Sequence, residues 1–535
     1  MPAFIQEPCD ASIIRSAPAT APCSKSSGPW VLAATTLASS MAFIDGTVVN
    51  VALPALQTNL NATIVDVQWV IEAYSLLLAA FLLVGGSLGD NYGRRRVFLI
   101  GVALFAFASA WCGFASTIGQ LIAARAMQGL GAALLVPGSL AIISSSFAEN
   151  ERGRAIGTWS GFSAITTAVG PVMGGWLIEH LSWRAVFFIN IPLAVLVILI
   201  SLWRVPESSD EESAGVDWWG AILGALGLGA LVYALIESSR LGFTDRSVLI
   251  AFVVAGVLLV IFLIFEARVR NPMLPLALFR SRTFTGANLL TFLLYGALGG
   301  TLFFLPLNLI QVQHYSATAA GAAFLPFILI IFLLSRWAGG LVEKYGSKIP
   351  LVIGPLIAAL GFALFMLPGL SAGYWQTFFP SVVVLGTGMA ISVAPLTTTV
   401  MNSVAQNRVG VASGINNAVA RGAGLLAIAV LGIVMLHSFN HAMDRRLADE
   451  NLTPEASQSL QAQRTKLAAA SLPDDVDQKT KQLLGRAIAE SFVHAFRLIM
   501  AIGATLALTS AIVAWRLIGT TGRKENPPPR KAFAD

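Results

Sequence analysis

GSLGDNYGRR (86–95) and GGLVEKYGSK (339–348) place Gly, Leu, an acid, Tyr and Gly at matching positions and run on into a basic residue. Each closes an apolar run, and the next apolar run follows after a very short turn. Gly93 and Gly346 can take the positive φ that such a turn needs. Asp90 and Glu343 stand at a helix C-terminus, where a negative charge is unfavourable without a cation or another helix N-terminus nearby. An ion pair that forms in one arrangement and breaks in another is a latch. Gly86, Asp90, Gly93 and Arg94, with Gly339, Glu343 and Gly346 in the second copy, are therefore the gating candidates. Gly86 and Gly89 are expected to let their helix pack closely on a neighbour. Self-similarity at corresponding places of two halves marks transporters built from parallel repeats.

The lengths between the two copies set the architecture. Stretches 30–53, 69–88, 97–115, 118–146, 155–178, 184–203, 217–237, 248–266, 285–307, 319–341, 350–369, 376–400, 411–436 and 492–516 are apolar enough to cross a bilayer, which takes roughly 20 residues each. Backbone groups in lipid must be satisfied internally, so each is a helix. The first copy ends span two and the second ends span ten. A bare six-plus-six duplication would place it at span eight, so two helices, seven and eight, are inserted. The expected fold is an all-α integral membrane protein of 14 transmembrane helices, two pseudo-symmetric six-helix bundles plus two inserted linking helices. The expected divisions are a disordered tail 1–28, a bundle 29–204, linking helices and loops 205–284, a bundle 285–517 with a long external loop 437–491, and a tail 518–535.

Composition agrees. The chain of 535 residues is 56% hydrophobic and 12% charged, with a mean hydropathy of +0.74. A soluble chain of this length needs far more charge on its surface. The net charge of +6 lies in short Lys/Arg clusters between apolar runs rather than on one face, a pattern of membrane topology and not of nucleic-acid binding. Arg94–Arg96, Arg152, Arg154, Arg268, Arg270, Arg280, Arg282, Lys344, Lys348 and Arg408 all fall on one side, and Arg523, Lys524, Arg530 and Lys531 in the tail join them. Arg184, Arg240 and Arg246 are the exceptions. Both termini are thus expected in the cytoplasm of a cell with this protein in its inner or plasma membrane. Cys9, Cys23 and Cys112 form neither a disulfide framework nor a metal spacing, and the tail lacks the basic-then-apolar pattern of a signal peptide.

Charges inside the spans carry the functional expectation. Asp45 lies about nine residues from the outer end of span one, and Arg125 about seven from the outer end of span four, hence at similar depth. Buried charges pair or serve function, so the two are expected to face one interior cavity. Glu72, near the outer end of span two, is expected to line the cavity mouth or to snorkel to the interface. Asn416, Asn417 and Arg421 form a polar group in span thirteen, for substrate, gate or helix–helix bonding. Asn50 and Gln128 are further cavity candidates. Gly170, Pro171, Gly174 and Gly175 concentrate small residues and a missing amide in span five, suited to close sliding and bending. His437 and His441 are spaced i, i+4, and no metal site is expected of them.

These motifs together resemble the major facilitator superfamily, in particular the fourteen-span drug:proton antiporters. GSLGDNYGRRR resembles the loop between helices two and three, implying gating by Gly86, Asp90, Gly93 and Arg94. LIAARAMQGLGAA resembles the helix-four motif whose arginine, here Arg125, is implicated in proton coupling. VGPVMGG resembles the antiporter motif, placing Gly170, Pro171, Gly174 and Gly175. IDGTVVNVALP resembles the helix-one motif, placing Asp45, Thr47, Asn50 and Pro54, and WRAVFFINIP is similar to the segment entering helix six. The resemblance covers 30 to 517. NNAVARGAG resembles a bacterial branch of the family, and Glu72 departs from the neutral residue of many relatives. The expectation is a proton-driven exporter of amphipathic, often cationic small molecules by alternating access, with Asp45, Arg125 and Glu72 in proton coupling. Its partners are the substrate, protons and the bilayer. A periplasmic adaptor protein is counted among the candidate partners, and no cofactor beyond protons. The rivals are a proton-coupled uptake symporter and an exporter of one metabolite. No nucleotide loop or hydrolase motif points to an enzyme.

Overall fold

A computed structural model describes residues 27–209, 215, 217–270, 272–404, 409–448, 458, 460–461, 463–470 and 478–519. Residues 1–26 and 520–535 of the two expected tails, Arg408 and the side chain of Glu343 lie outside the described residues. Fourteen apolar helices follow one another: α1 (Gly28–Asn59), α2 (Ile64–Tyr92), α3 (Arg94–Phe114), α4 (Ile118–Ser146), α5 (Glu149–His180), α6 (Ala185–Arg204), α7 (Trp218–Leu241), α8 (Arg246–Arg268), α9 (Arg282–Leu307), α10 (Leu325–Tyr345), α11 (Lys348–Leu364), α12 (Phe379–Asn402), α13 (Val409–Leu447) and α14 (Gln478–Leu517). A short helix, Ala317–Ala322, leads into α10. Among the described residues thirteen spans are long enough to cross a membrane, the tenth counted from the short helix before α10, and the fourteenth, α11, has 17 residues. It stops short of the expected 369 because Pro368 denies the helix a continuation.

Local chemistry starts the helices where the sequence offers a cap. At α2, Asp66 N donates to Thr63 Oγ1 (3.2 Å) while Thr63 N donates to Asp66 Oδ2 (2.8 Å), a reciprocal capping box. Asp217 accepts from Gly220 N at 2.9 Å to open α7. The repeated decapeptide acts as expected at its turn: Gly93 has φ +107° and Gly346 has φ +74°, so α2–α3 and α10–α11 break at equivalent glycines.

Packing repeats as well. In the first bundle α2 and α3 pack on α4, and α1 on α5; in the second, α10 and α11 pack on α12, and α9 on α13. Between bundles, α2 meets α13 and α5 meets α10 with its leading helix. The inserted α7 lies against both α2 and α13, with Trp69 Nε1 donating to Glu237 Oε1 at 3.1 Å. Helix α8 packs on α7, and its buried residues are Val248, Ala255 and Glu266. The rest of its surface is apolar and open, as lipid contact requires. Two of the exceptional arginines are held locally: Arg184 donates to Ala115 O (2.8 Å), and Arg240 pairs with Glu237 (2.7 Å).

The expected loop 437–491 is partly continuous helix. Helices α13 and α14 have 39 and 40 residues, about 60 Å each, twice the hydrocarbon thickness of ~30 Å. Their extensions are clasped by Glu490, which takes Arg486 at 2.8 Å and Arg446 at 3.3 Å. Between them the turn Arg464–Ala469 seats buried Leu467 against both bundles, and Lys466 Nζ donates to Asn61 Oδ1 at 2.6 Å.

One expectation about packing is corrected. Gly85, not Gly86, makes the close approach of α2 to α4: a Cβ there would run into the Ala133 backbone. Gly86 stands clear, its Cβ position 3.7 Å from Pro137, and Gly339 has open space. The interhelical crossing turns Gly85 toward α4, and its neighbour one residue on points about 100° away.

Candidate functional site

Asp45 of α1 and Arg125 of α4 meet inside the first bundle, exposed by 0% and 1%. Arg125 Nη1 donates to Asp45 Oδ2 and, at 2.7 Å, to Gln128 Oε1. Its Nε donates to Val70 O at 3.0 Å. Gln128 Nε2 donates to Asp45 Oδ1 at 2.8 Å, so the carboxylate is held from two sides. Tyr74 of α2 lies under the guanidinium, 4.2 Å from ring centre to Cζ. Ser109 of α3 accepts from Gln128 (3.2 Å) and from Asn190 of α6 (2.9 Å), and donates to Phe187 O (2.9 Å). One polar network thus joins five helices. Sequence reading found Asp45, Arg125 and Gln128 and missed Tyr74, Ser109 and Asn190, which carry no charge to mark them. The pair is enclosed by its own bundle rather than open to a crevice between bundles.

The seam between bundles is sealed on the face away from the basic loops. Gly175 of α5 lies on the backbone of Ala317 and Thr318, and Gly321 on that of Pro171 and Val172. Gly170 and Gly174 face the other way, against Thr47 and Val48 of α1. The glycines of the Gly-Pro motif thus serve two partners, one within the bundle and one across the seam. Gln311 Nε2 donates to Gln57 Oε1 (2.7 Å), Thr318 Oγ1 to Glu179 Oε2 (2.6 Å) and Gln68 Nε2 to Ile428 O (3.0 Å), all on that same side. Beneath the seal lies an apolar cavity of about 80 Å³ with Thr47, Asn50 and Thr167 as polar groups among Pro171, Pro306 and Phe327.

At the repeated turn, Asp90 takes Arg94, whose Nε donates to its Oδ1 at 2.8 Å. Both belong to the first bundle, and no bond to the second bundle is made by either among the described residues. Glu207, after α6, was not foreseen. It accepts from Arg95 N (2.9 Å) and Arg96 N (3.2 Å), capping the start of α3 from a distant segment. No motif around Glu207 announces this, since the contact depends on how α6 returns past α3. Glu207→Ala should lower the stability of the solubilised protein by about 1–2 kcal/mol, the usual value of a cap; thermal unfolding in detergent reads it.

The sequence profile of the Major Facilitator Superfamily matches residues 35–428. The chain belongs to the Major Facilitator Superfamily. Among curated relatives it is 36% identical over 411 residues to the multidrug resistance protein Stp of Mycobacterium tuberculosis, covering 76% of this chain and 75% of that one. It is 31% identical to the tetracenomycin C resistance and export protein of Streptomyces glaucescens, covering 91% of both. Among solved structures, a bacterial homolog of the human lysosomal transporter Spinster superposes with a TM-score of 0.65 at 16% identity, over 92% of this chain and 97% of that one. The xylose transporter XylE of E. coli gives 0.56 at 15%, over 92% and 97%. These two show the shared fold.

The remaining polar residues of this Major Facilitator Superfamily chain do not form one cluster. Asn416 Nδ2 donates to Thr291 Oγ1 (2.7 Å) and Asn288 Oδ1 (3.2 Å), tying α13 to α9 within the second bundle. Asn417 is exposed, and its amide donates to Ser413 O of its own helix. Arg421 is half-buried. Glu72 does not snorkel: it is 0% exposed, with neither carboxyl oxygen bonded. A helix in water would release such a group to solvent, but here α7 and α13 cover this flank of α2.

Proposed function

We propose that this chain is a proton-driven exporter of amphipathic, drug-like small molecules, cationic ones among them, working by alternating access in a bacterial inner membrane. Its basic face and both termini are cytoplasmic. The observation that carries the reading is the Asp45–Arg125–Gln128 cluster, a titratable acid held wholly inside the span region by a fixed cation. Names of the relatives support export, and the basic side of the loops supports the orientation.

Asp45 takes a proton when the outer face opens. Neutralising its carboxylate removes the charge attraction on Arg125, which keeps Val70 O, Gln128 and the Tyr74 ring as partners. The bundles then rock to the outward-sealed arrangement and the proton leaves inward. Each proton brings ~2.3 kcal/mol per 100 mV of membrane potential. Glu72 is the second acid in proton coupling. Gly86, Asp90, Gly93, Arg94, Gly339, Glu343 and Gly346 work the inner turns, Pro171 and Gly175 meet the second bundle at the outer seam, and Gly170 and Gly174 let α5 pack on α1 beside it. No cofactor besides protons is needed. A periplasmic adaptor, where one exists, would meet the outward extensions of α13 and α14.

Inverted membrane vesicles test the reading. Tetracenomycin C, methylenomycin A and puromycin, the compounds in relatives' names, form the starting panel. Respiring inverted vesicles should accumulate at least one of them, and a protonophore should abolish it. Accumulation by right-side-out vesicles instead would make the protein an uptake system.

A further inference from the structure

Helix α14 carries an uncharged run from Leu498 to Trp515, bounded by Arg497 and Arg516. The two arginines are nineteen residues apart in the chain, about 28 Å along the axis, which matches the ~30 Å of hydrocarbon. With Arg516 at the basic-loop boundary of the bilayer, Arg497 stands at the opposite one, level with the lipid headgroups. Leu498, Leu508, Ile512 and Trp515 are exposed. They fall on one side of α14, about 100° wide, a stripe open to acyl chains. Glu490, His494 and Arg497 continue that side past the boundary.

There the stripe runs into an open cleft of about 390 Å³ lined by Arg446 of α13, by Arg486, Glu490, His494 and Arg497 of α14, and by the loop after α11. Three guanidiniums against one carboxylate leave two positive charges in excess. Each guanidinium is fixed along one edge only. Arg486 Nε donates to Glu490 Oε1 (2.8 Å), Arg446 Nε to Glu490 Oε2 (3.3 Å) and Arg446 Nη1 to Ala442 O (3.1 Å). Arg497 Nη2 donates to Pro368 O (3.1 Å) and Leu367 O (3.4 Å). Among the described residues both Nη of Arg486, Nη2 of Arg446, and Nε and Nη1 of Arg497 have no acceptor. Planar forks of this kind suit phosphate oxygens. Free phosphate and the phosphodiester of a lipid share that chemistry, and the apolar stripe leading into the cleft decides for the lipid.

We propose that this cleft binds the phosphate headgroup of an anionic membrane lipid, with an acyl chain laid along the exposed stripe of α14. Arg497 and His494 meet the headgroup at the boundary, and Arg446 and Arg486 close over it from the outer rim. The lipid then ties α13, α14 and the loop after α11 together where their own polar contacts are few. That the leaflet is the outer one rests on the orientation proposed above; the binding does not.

Lipid retention by the delipidated full-length protein, counted by native mass spectrometry, tests the cleft. Arg497→Gln should weaken retention of the tightest-held phosphatidylglycerol about tenfold, the scale of one hydrogen bond to a charged group. Arg486→Gln, whose side chain is 77% exposed and bonded only to Glu490, should do the same without touching the loop. Phosphatidylcholine, with no net charge, should show no such dependence, and Arg268→Gln with Arg270→Gln on the opposite face should leave it unchanged. Glu490→Gln frees two guanidiniums and should raise retention about threefold, within the range of one released exposed ion pair; a merely loosened fold would lower it. Equal retention by wild type and both arginine variants, or a fall in Glu490→Gln, overturns the site. Displacement by millimolar inorganic phosphate would make the ligand a free anion and overturn the lipid. With Cys9 and Cys23 replaced by Ser, His494→Cys should react with a membrane-impermeant maleimide in right-side-out vesicles. Reaction only in inverted vesicles overturns the orientation and the outer leaflet, while arginine-dependent lipid retention still upholds the cleft.

Discussion

Asp45→Asn is expected to end proton-coupled export and also to lower the melting temperature of the solubilised protein. The two effects have separate causes. Export ends because Asn cannot carry a proton on and off. Stability falls because Arg125, 1% exposed, loses its counter-charge. Removing one partner of a buried pair typically costs 3–5 kcal/mol, about the lower figure here, since Asn keeps the volume and can still accept from Gln128. The double variant Asp45→Asn with Arg125→Gln removes the orphaned charge. It should regain much of the stability while export stays absent. Normal efflux from Asp45→Asn at ordinary expression would remove Asp45 from the coupling.

Gly175→Val is expected to cripple transport without unfolding the protein. The position of its Cβ is occupied by the backbone of Ala317 and Thr318 across the seam, which cannot rotate away as a side chain could. Overpacking of this kind costs about 1–3 kcal/mol, a shift of about 5- to 150-fold between sealed and open arrangements. The disulfide between Gln57→Cys and Gln311→Cys should then form about 5- to 150-fold more slowly, and export should fall in step. Gly174→Val is the control in kind. It strikes Val48 within the same bundle, so its damage should appear as lost stability and yield. Seam closure by the same disulfide in the Gly175→Val chain at the wild-type rate would show that the glycine contact does not gate.

What the sequence disclosed follows what lipid dictates. A bilayer fixes how long an apolar run must be, so the spans and the insertion of α7 and α8 could be counted. Depth along a helix is arithmetic, and it placed Asp45 opposite Arg125. Rotation about a helix axis is not arithmetic without the neighbour. This is why the sequence points to Gly86 and Gly89 for close packing when Gly85 makes the approach, and why adjacent Asn416 and Asn417 read as one polar group although one bonds to α9 and the other only to its own helix. Glu72 reads from sequence as lining the cavity mouth or snorkelling because its cover, α7 and α13, arrives from far along the chain. Contacts set by the placement of whole bundles, such as Gln57 with Gln311 and Glu179 with Thr318, leave no local mark. Glu207 belongs with them, since its cap is a meeting of two segments more than a hundred residues apart.

The placement of α7 makes the duplicated architecture one-sided. It closes the groove where α2 meets α13, and α8 shields α7 in turn. The equivalent groove, between α5 and α10, has no such cover among the described residues and shows Phe162, Ile165, Leu333 and Trp337 outward. Among the described residues a greasy molecule dissolved in the leaflet would therefore meet a double wall on one flank and a bare two-helix face on the other, which makes that face the expected place for sideways entry from the bilayer.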